Sequence, residues 1–221
     1  MAQKNNNKDL QACYNGSTEI QKIMYGTNLV WENYKLVDLG TAQSFNIRDY
    51  TDNWSSLTVD NFFMVGNSNT ASINGIDNQD EIVYVTNDWE KSYSGGTLTF
   101  RIKIFDSEGR SAYAGVHAVM VEKKEKLAYL GSGKSFNVTG YANWQDFTYK
   151  NLLMLKPSGY AKQGVRTPQT WSAYTQVQSS YSSGTFNCKF YYRYDHENTG
   201  STTPRIEEDS MYVYLFPKKI T

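Results

Sequence analysis

The chain has 221 residues, and its 22 Lys and Arg are balanced by 22 Asp and Glu, so no net field draws it onto nucleic acid or an anionic membrane. Two cysteines, Cys13 and Cys188, are too few for a disulfide framework or a cysteine-rich metal site, and no run approaches the ~18 apolar residues of a membrane helix. Aromatic residues reach 15%, with 18 Tyr against 4 Pro, a composition that suits short strands and tight turns rather than helices.

From the N-terminus, the polar tail AQKNNNKDLQ lacks the apolar run of a signal peptide, which predicts synthesis in a cytoplasm. Residues 12–32, ACYNGSTEIQKIMYGTNLVWE, predict three short strands divided by turns at Asn15-Gly16 and Gly26-Thr27-Asn28. Asn-Gly is the strongest two-residue hairpin signal, because a type I′ turn needs positive φ at both central residues. Strands this short cannot bury a core alone, so residues 1–35 are assigned to docking on the next unit or on a partner chain.

The remainder of the chain is a repeat. LVDLGTAQSFNIRDY at 36–50 and LAYLGSGKSFNVTGY at 127–141 agree at seven of fifteen positions, where chance gives about one. The match continues through Trp54 and Trp144, LTVDNFFMV (57–65) and FTYKNLLML (147–155), and YSGGTLTFRIKI (93–104) and YSSGTFNCKFYY (181–192). Each copy closes on an apolar run, VHAVMV (116–121) or YVYLF (212–216), and the charged EKKEK at 122–126 reads as a solvated connector.

In the clearest strand, Leu98, Phe100, Ile102 and Ile104 alternate with Thr97, Thr99, Arg101 and Lys103, the period of a half-buried strand. The second copy aligns Phe186, Cys188, Phe190 and Tyr192 with that inward set, which makes Cys188 a small core residue at the place of Phe100. Turn chemistry at NGIDNQD (74–80), SGG (94–96), DSEG (106–109), PSG (157–159) and HENTGSTTP (196–204) separates the strands. The expected fold is all-β: an N-terminal β-meander over 1–35, then two tandem antiparallel β-sandwich units, Ig-like or jelly-roll-like, over 36–122 and 127–221.

The N-terminal stretch YNGSTEIQKIMYGTNLVWE resembles the segments that begin many bacteriophage tail, baseplate and head-fibre proteins. The run LGTAQSFNI followed by LTVDNFFMVG resembles repeat units of phage structural and adhesin-like proteins. The resemblance implies a virion structural protein acting in assembly and host attachment, with other virion proteins and symmetric copies of itself, trimeric or hexameric, as partners. It carries over no catalytic residue.

Candidate chemistry is sparse. GSGKS at 131–135 is not a P-loop, because the required earlier glycine is Ala128, the following SFNVTGY is strand-like, and the first copy has Gln43 where Lys134 stands. His117 and His196 have no metal ligand at zinc-site spacing, and both read as structural or solvated. Asp77, Asp80 and Glu81 in one loop, and Glu207, Glu208 and Asp209 in another, read as solvated charge. Calcium at 77–81 is the minority option for the first cluster, and a glycosidase pair is the enzymatic one. The sequons at Asn15, Asn53 and Asn137 read as turn and strand residues. No catalytic residue, cofactor or metal is assigned. Tyr191, Tyr194, Tyr212 and Tyr214 are the candidate contacts, for an oligomer interface first and for a host-surface glycan second. The expected role is therefore a non-enzymatic virion component, the alternative a glycan-binding adhesin module.

Overall fold

The computed structural model describes the backbone of residues 13–15, 18–20, 22–25, 28–32, 34–66, 69, 71–76, 84–105, 109–157, 161–163, 171–196, 205–218 and 220, and side chains within 34–66, 69, 89–103, 109–155, 176–189, 210–218 and 220. The fold is all-β. Four short N-terminal strands, β1 (Cys13–Asn15), β2 (Thr18–Ile20), β3 (Lys22–Tyr25) and β4 (Asn28–Glu32), precede the first copy. That copy supplies β5 (Leu36–Ala42), β6 (Ser44–Asn46), β7 (Phe62–Val65), β8 (Ala71–Ile76), β9 (Tyr84–Ser94), β10 (Thr97–Phe105) and β11 (Ser111–Val121). The second supplies β12 (Ala128–Gly133), β13 (Ser135–Asn137), β14 (Leu152–Pro157), β15 (Ala161–Gln163), β16 (Trp171–Ser182), β17 (Thr185–His196), β18 (Arg205–Asp209) and β19 (Met211–Leu215). The only described helical pieces are single 3-10 turns such as Asp52–Ser56 and Tyr149–Asn151, and none of them is long and apolar enough to cross a membrane.

The expected three-stranded N-terminal meander is instead two hairpins. β1 pairs with β2 and β3 with β4, each as a two-stranded ladder. β2 takes its register from β1 and β3 takes its own from β4, so the expected middle strand belongs to two ladders.

The repeat recurs bond for bond. Ile47 N–H donates to Gly96 O and Val138 N–H to Gly184 O, both at 2.8 Å. Phe100 N–H donates to Gln43 O at 3.0 Å, and Cys188 N–H to Lys134 O at 2.9 Å. Tyr93 and Tyr181 each donate a hydroxyl to a tryptophan carbonyl, Trp54 at 2.6 Å and Trp144 at 2.5 Å. Gly40 and Gly131 share a left-handed φ at register shifts in matching ladders, β5 with β11 and β12 with β19. A glycine suits such bulges because it reaches positive φ without a Cβ clash.

The copies are interlocked rather than strung side by side. Met64 of β7 pairs with Met154 of β14, its own counterpart, so the two copies meet about a local two-fold. On either side of that contact the order is symmetric, β5-β11-β7-β14-β19-β12. Beyond it the copies trade a strand. β8 of the first pairs with β16 of the second, while β15, the counterpart of β8, pairs with β9, the counterpart of β16. Asn74 and Gly75, expected as a turn, lie inside β8 at the bulge where its register shifts between Trp171 and Ala173.

The alternation of the strands settles which face is dry. Leu98, Phe100 and Ile102 are fully buried, as are Phe186 and Cys188 at the matching places. They join Phe62, Met64, Leu152, Met154 and Leu215 in one core drawn from both copies. On the opposite face of the central strands, Phe63, Val65, Val119, Val121, Leu153 and Phe216 form a second apolar cluster. Tyr34 sets its ring edge on Phe216 at 5.5 Å there.

The β9–β10 and β16–β17 hairpins turn on matched dipeptides, Gly95-Gly96 and Ser183-Gly184, all with positive φ. Ser183, at φ 47°, is one of two described non-glycine residues in that region. Ser183→Gly copies the first repeat and removes a left-handed penalty of roughly 1 kcal/mol, partly offset by a looser unfolded chain. A small rise in the urea midpoint, with the m-value unchanged, is the expected result.

Candidate functional site

One concavity among the described residues lies where the copies cross. β9 carries Trp89, Lys91 and Tyr93 on one parity, so all three point inward. Trp89 meets Phe100 edge-on at 6.2 Å and Tyr93 is tied to Trp54, which fixes both rings. Between them Lys91 runs over apolar surface, its Nζ donating to Phe62 O at 2.6 Å and lying 5.2 Å from the Phe100 ring centroid and 5.7 Å from that of Phe63. Leu155 of β14 and Tyr212 of β19, from the other copy, line a cavity of about 410 Å³ together with Trp89 and Lys91. Burial pushes the Lys91 ammonium down to about 8, with Lys124 adding to that and Asp60 opposing it.

At the symmetry-related place the fold is filled differently. Trp89, Lys91, Leu155 and Tyr212 correspond to Val177, Ser179, Val65 and His117, and Val177 and Val65 are fully buried. Gly66 passes so close that a Cβ there would fall onto the Ser179 hydroxyl and 2.6 Å from its backbone nitrogen. His117 faces away into an ion cluster, its Nε2 2.7 Å from Asp38 Oδ1, while Lys150 Nζ reaches Asp38 Oδ2 at 2.6 Å from the second copy. Burial opposes ionisation of Asp38, but the Lys150, Gly40 N–H and His117 contacts outweigh it and hold the carboxyl at about 2.

A carboxyl with a lowered folded pKa stabilises above its unfolded value and loses that contribution as pH falls through the folded one. The acid limb of wild-type stability between pH 4 and 2 is therefore expected to flatten in Asp38→Asn. The change at pH 7 stays below about 1 kcal/mol, because the pair is partly exposed and screened. Thermal melts across that pH range check it.

The candidate tyrosines divide. Tyr212 lines the cavity, whereas Tyr214 packs on Phe63 at 5.7 Å and on Tyr129 at 4.9 Å. Tyr191 and Tyr194 belong to β17 by backbone, opposite Gln176 and Ala173, and their side chains lie outside the described residues. So do the side chains of His196 and of Glu207, Glu208 and Asp209, and the whole of Asp77, Asp80 and Glu81. Among the described residues no group of three His, Cys, Asp or Glu could hold a metal. GSGKS spans the end of β12 and the start of β13, with a strand rather than a helix after it. Cys188 is fully buried, its Sγ 3.6 Å from Gly133 O, and burial pushes the thiol up to about 12, so it is a core residue with no nucleophilic character at neutral pH.

Trp89, Lys91 and Leu155 were not among the sequence candidates. Their signal is nonetheless in the repeat: aligning WEKSY (89–93) with VQSSY (177–181) puts a lysine at an inward position where the other copy has serine. No known family, curated protein or solved structure matches this chain.

Proposed function

We propose that the chain is a non-enzymatic structural component of a bacteriophage virion, of tail, baseplate or head-fibre type, acting in particle assembly. One observation carries the reading beyond the resemblance of its segments. The body is a doubly repeated, strand-exchanged β-unit, while β1–β2 and β3–β4 are separate two-stranded ladders. Two-stranded hairpins are marginal alone, so they suit a segment that docks on a neighbouring protein. Light scattering with mass determination on the purified chain, followed by imaging of particles incubated with it, tests this. A closed oligomer or a particle-bound chain is the expected result, and a strict monomer that binds no particle component overturns it.

The alternative, a module that binds a host-surface glycan, is favoured by one surface feature. Tyr129 is 56% exposed and pairs with Tyr214 at 4.9 Å, a ring platform of the kind on which sugar faces stack. Glycan arrays with the wild type and Tyr129→Ala test it. Hits lost in the variant support it, and an array without hits counts against it.

A further inference from the structure

We infer that the Trp89–Lys91–Leu155–Tyr212 cavity is a binding site for a small monocarboxylate with a flat, apolar body. This is independent of the assembly role. A volume of about 410 Å³ falls in the range of ligand pockets, roughly 300–1,000 Å³. Its described walls include an indole, a phenol ring and a leucine, surfaces that take an aromatic or alicyclic skeleton by burial and ring contact.

Among the described lining residues Lys91 is the one cation, and it sets the ligand's charge. Lys91 Nζ has three N–H donors and gives one of them to Phe62 O. Among the described residues no carboxylate lies within ion-pairing distance of it, since Asp60, whose charge acts on it, pairs with Lys124 at 3.5 Å. A buried ammonium with two free donors is costly unless a counter-ion arrives. One carboxylate satisfies the charge and both donors, whereas a phosphate dianion would remain under-neutralised beside one ammonium.

The duplication supplies an internal control. The same strands, crossing the same way in the other half, pack without a lysine, using Ser179 pressed against Gly66 and two buried valines. The architecture therefore has no need of a cation at that position. Among the described residues Lys91 makes no ion pair, and the fold carries this charge in one copy alone, as expected of a residue kept for what it binds.

The test uses the full chain and 2-naphthoate as probe, with 2-naphthalenemethanol as its uncharged counterpart, followed by the Trp89 indole signal in two-dimensional NMR and by calorimetry. Saturable 2-naphthoate binding, at least tenfold tighter than that of the alcohol, is expected. In Lys91→Met, which keeps the stem and loses the charge, 2-naphthoate should weaken at least tenfold while the alcohol is unaffected. Leu155→Trp, which fills the cavity and leaves Lys91 in place, should abolish both and keeps the test available if the first variant does not fold. Equal affinity for acid and alcohol, undiminished 2-naphthoate binding in either variant, or no binding to the wild type overturns the inference.

Discussion

Met64→Asp is expected to eliminate the folded state of the whole chain rather than of one copy. Met64 is fully buried and sits opposite Met154 where the two copies meet. An unpaired carboxylate there costs roughly 3–5 kcal/mol, and the lost methionine packing adds about 2–5 kcal/mol. The sum rivals the 5–15 kcal/mol that holds a typical domain together. Because the core takes Phe62, Met64 and Phe100 from one copy and Leu152, Met154 and Phe186 from the other, the damage has no boundary at which to stop. The wild type should unfold in urea in a single transition with coincident near- and far-UV signals, and Met64→Asp should show no transition at all. Met64→Leu, which conserves volume, should cost under about 1.5 kcal/mol. A Met64→Asp protein that kept half of its cooperative signal would mean that the copies fold separately.

That prediction rests on a feature the sequence holds only in part. Its residues announce the repeat at once, since Leu39, Gly40, Phe45 and Asn46 recur as Leu130, Gly131, Phe136 and Asn137. The alternation around Phe100 identifies the inward face because a strand's side-chain period is two, so buried Leu98, Phe100 and Ile102 could be read directly. Cys188 could be assigned to the core by its alignment with Phe100. What is not legible is which copy a strand pairs with. β8 and β15 present backbone donors and acceptors that either β9 or β16 can satisfy, and the choice depends on where the connections run, a property of the assembled topology.

The candidate site shows the same division. Tyr212 was accessible to sequence reasoning as an aromatic on the parity opposite Met211 and Val213, which are fully buried. Lys91 is not legible as a site residue from its type, because lysine in a strand ordinarily marks a solvated face. Only the inward parity shared with Trp89 and Tyr93 marks it. The cavity itself needs Leu155 and Tyr212 from the second copy beside β9 of the first, and that juxtaposition exists only after the strands have crossed. Lys91→Met should therefore raise stability even as it removes the charge from the pocket, since burial already pushes that ammonium down to about 8.

Asn151→Ala is expected to cost more than any other single polar truncation among the described residues, because Asn151 is the one described polar side chain in the fully buried class. Its amide donates to Phe216 O at 2.9 Å and Lys218 O at 2.7 Å, and its oxygen accepts from Thr148 N–H at 2.8 Å. One side chain thus satisfies three backbone groups and pins the end of β19 to the 3-10 turn before β14. Alanine leaves those groups without partners in a dry setting, at about 1–3 kcal/mol for the worst of them, and a total near 3 kcal/mol follows if the chain relaxes enough to hydrate one. For a chain of this size that lowers Tm by roughly 6–12 °C. The counterpart gives the control. Asn61 makes a similar set of bonds, to Val121 O at 2.9 Å, to the adjacent Glu122 O at 3.1 Å and from Thr58 N–H at 2.9 Å, but it is only half-buried. Water can replace what Asn61→Ala removes, so its cost should be near 1 kcal/mol. Equal losses in the two variants would mean that burial does not set the worth of this bond network, and the double variant should then show whether the two sites are coupled through the shared core or add independently.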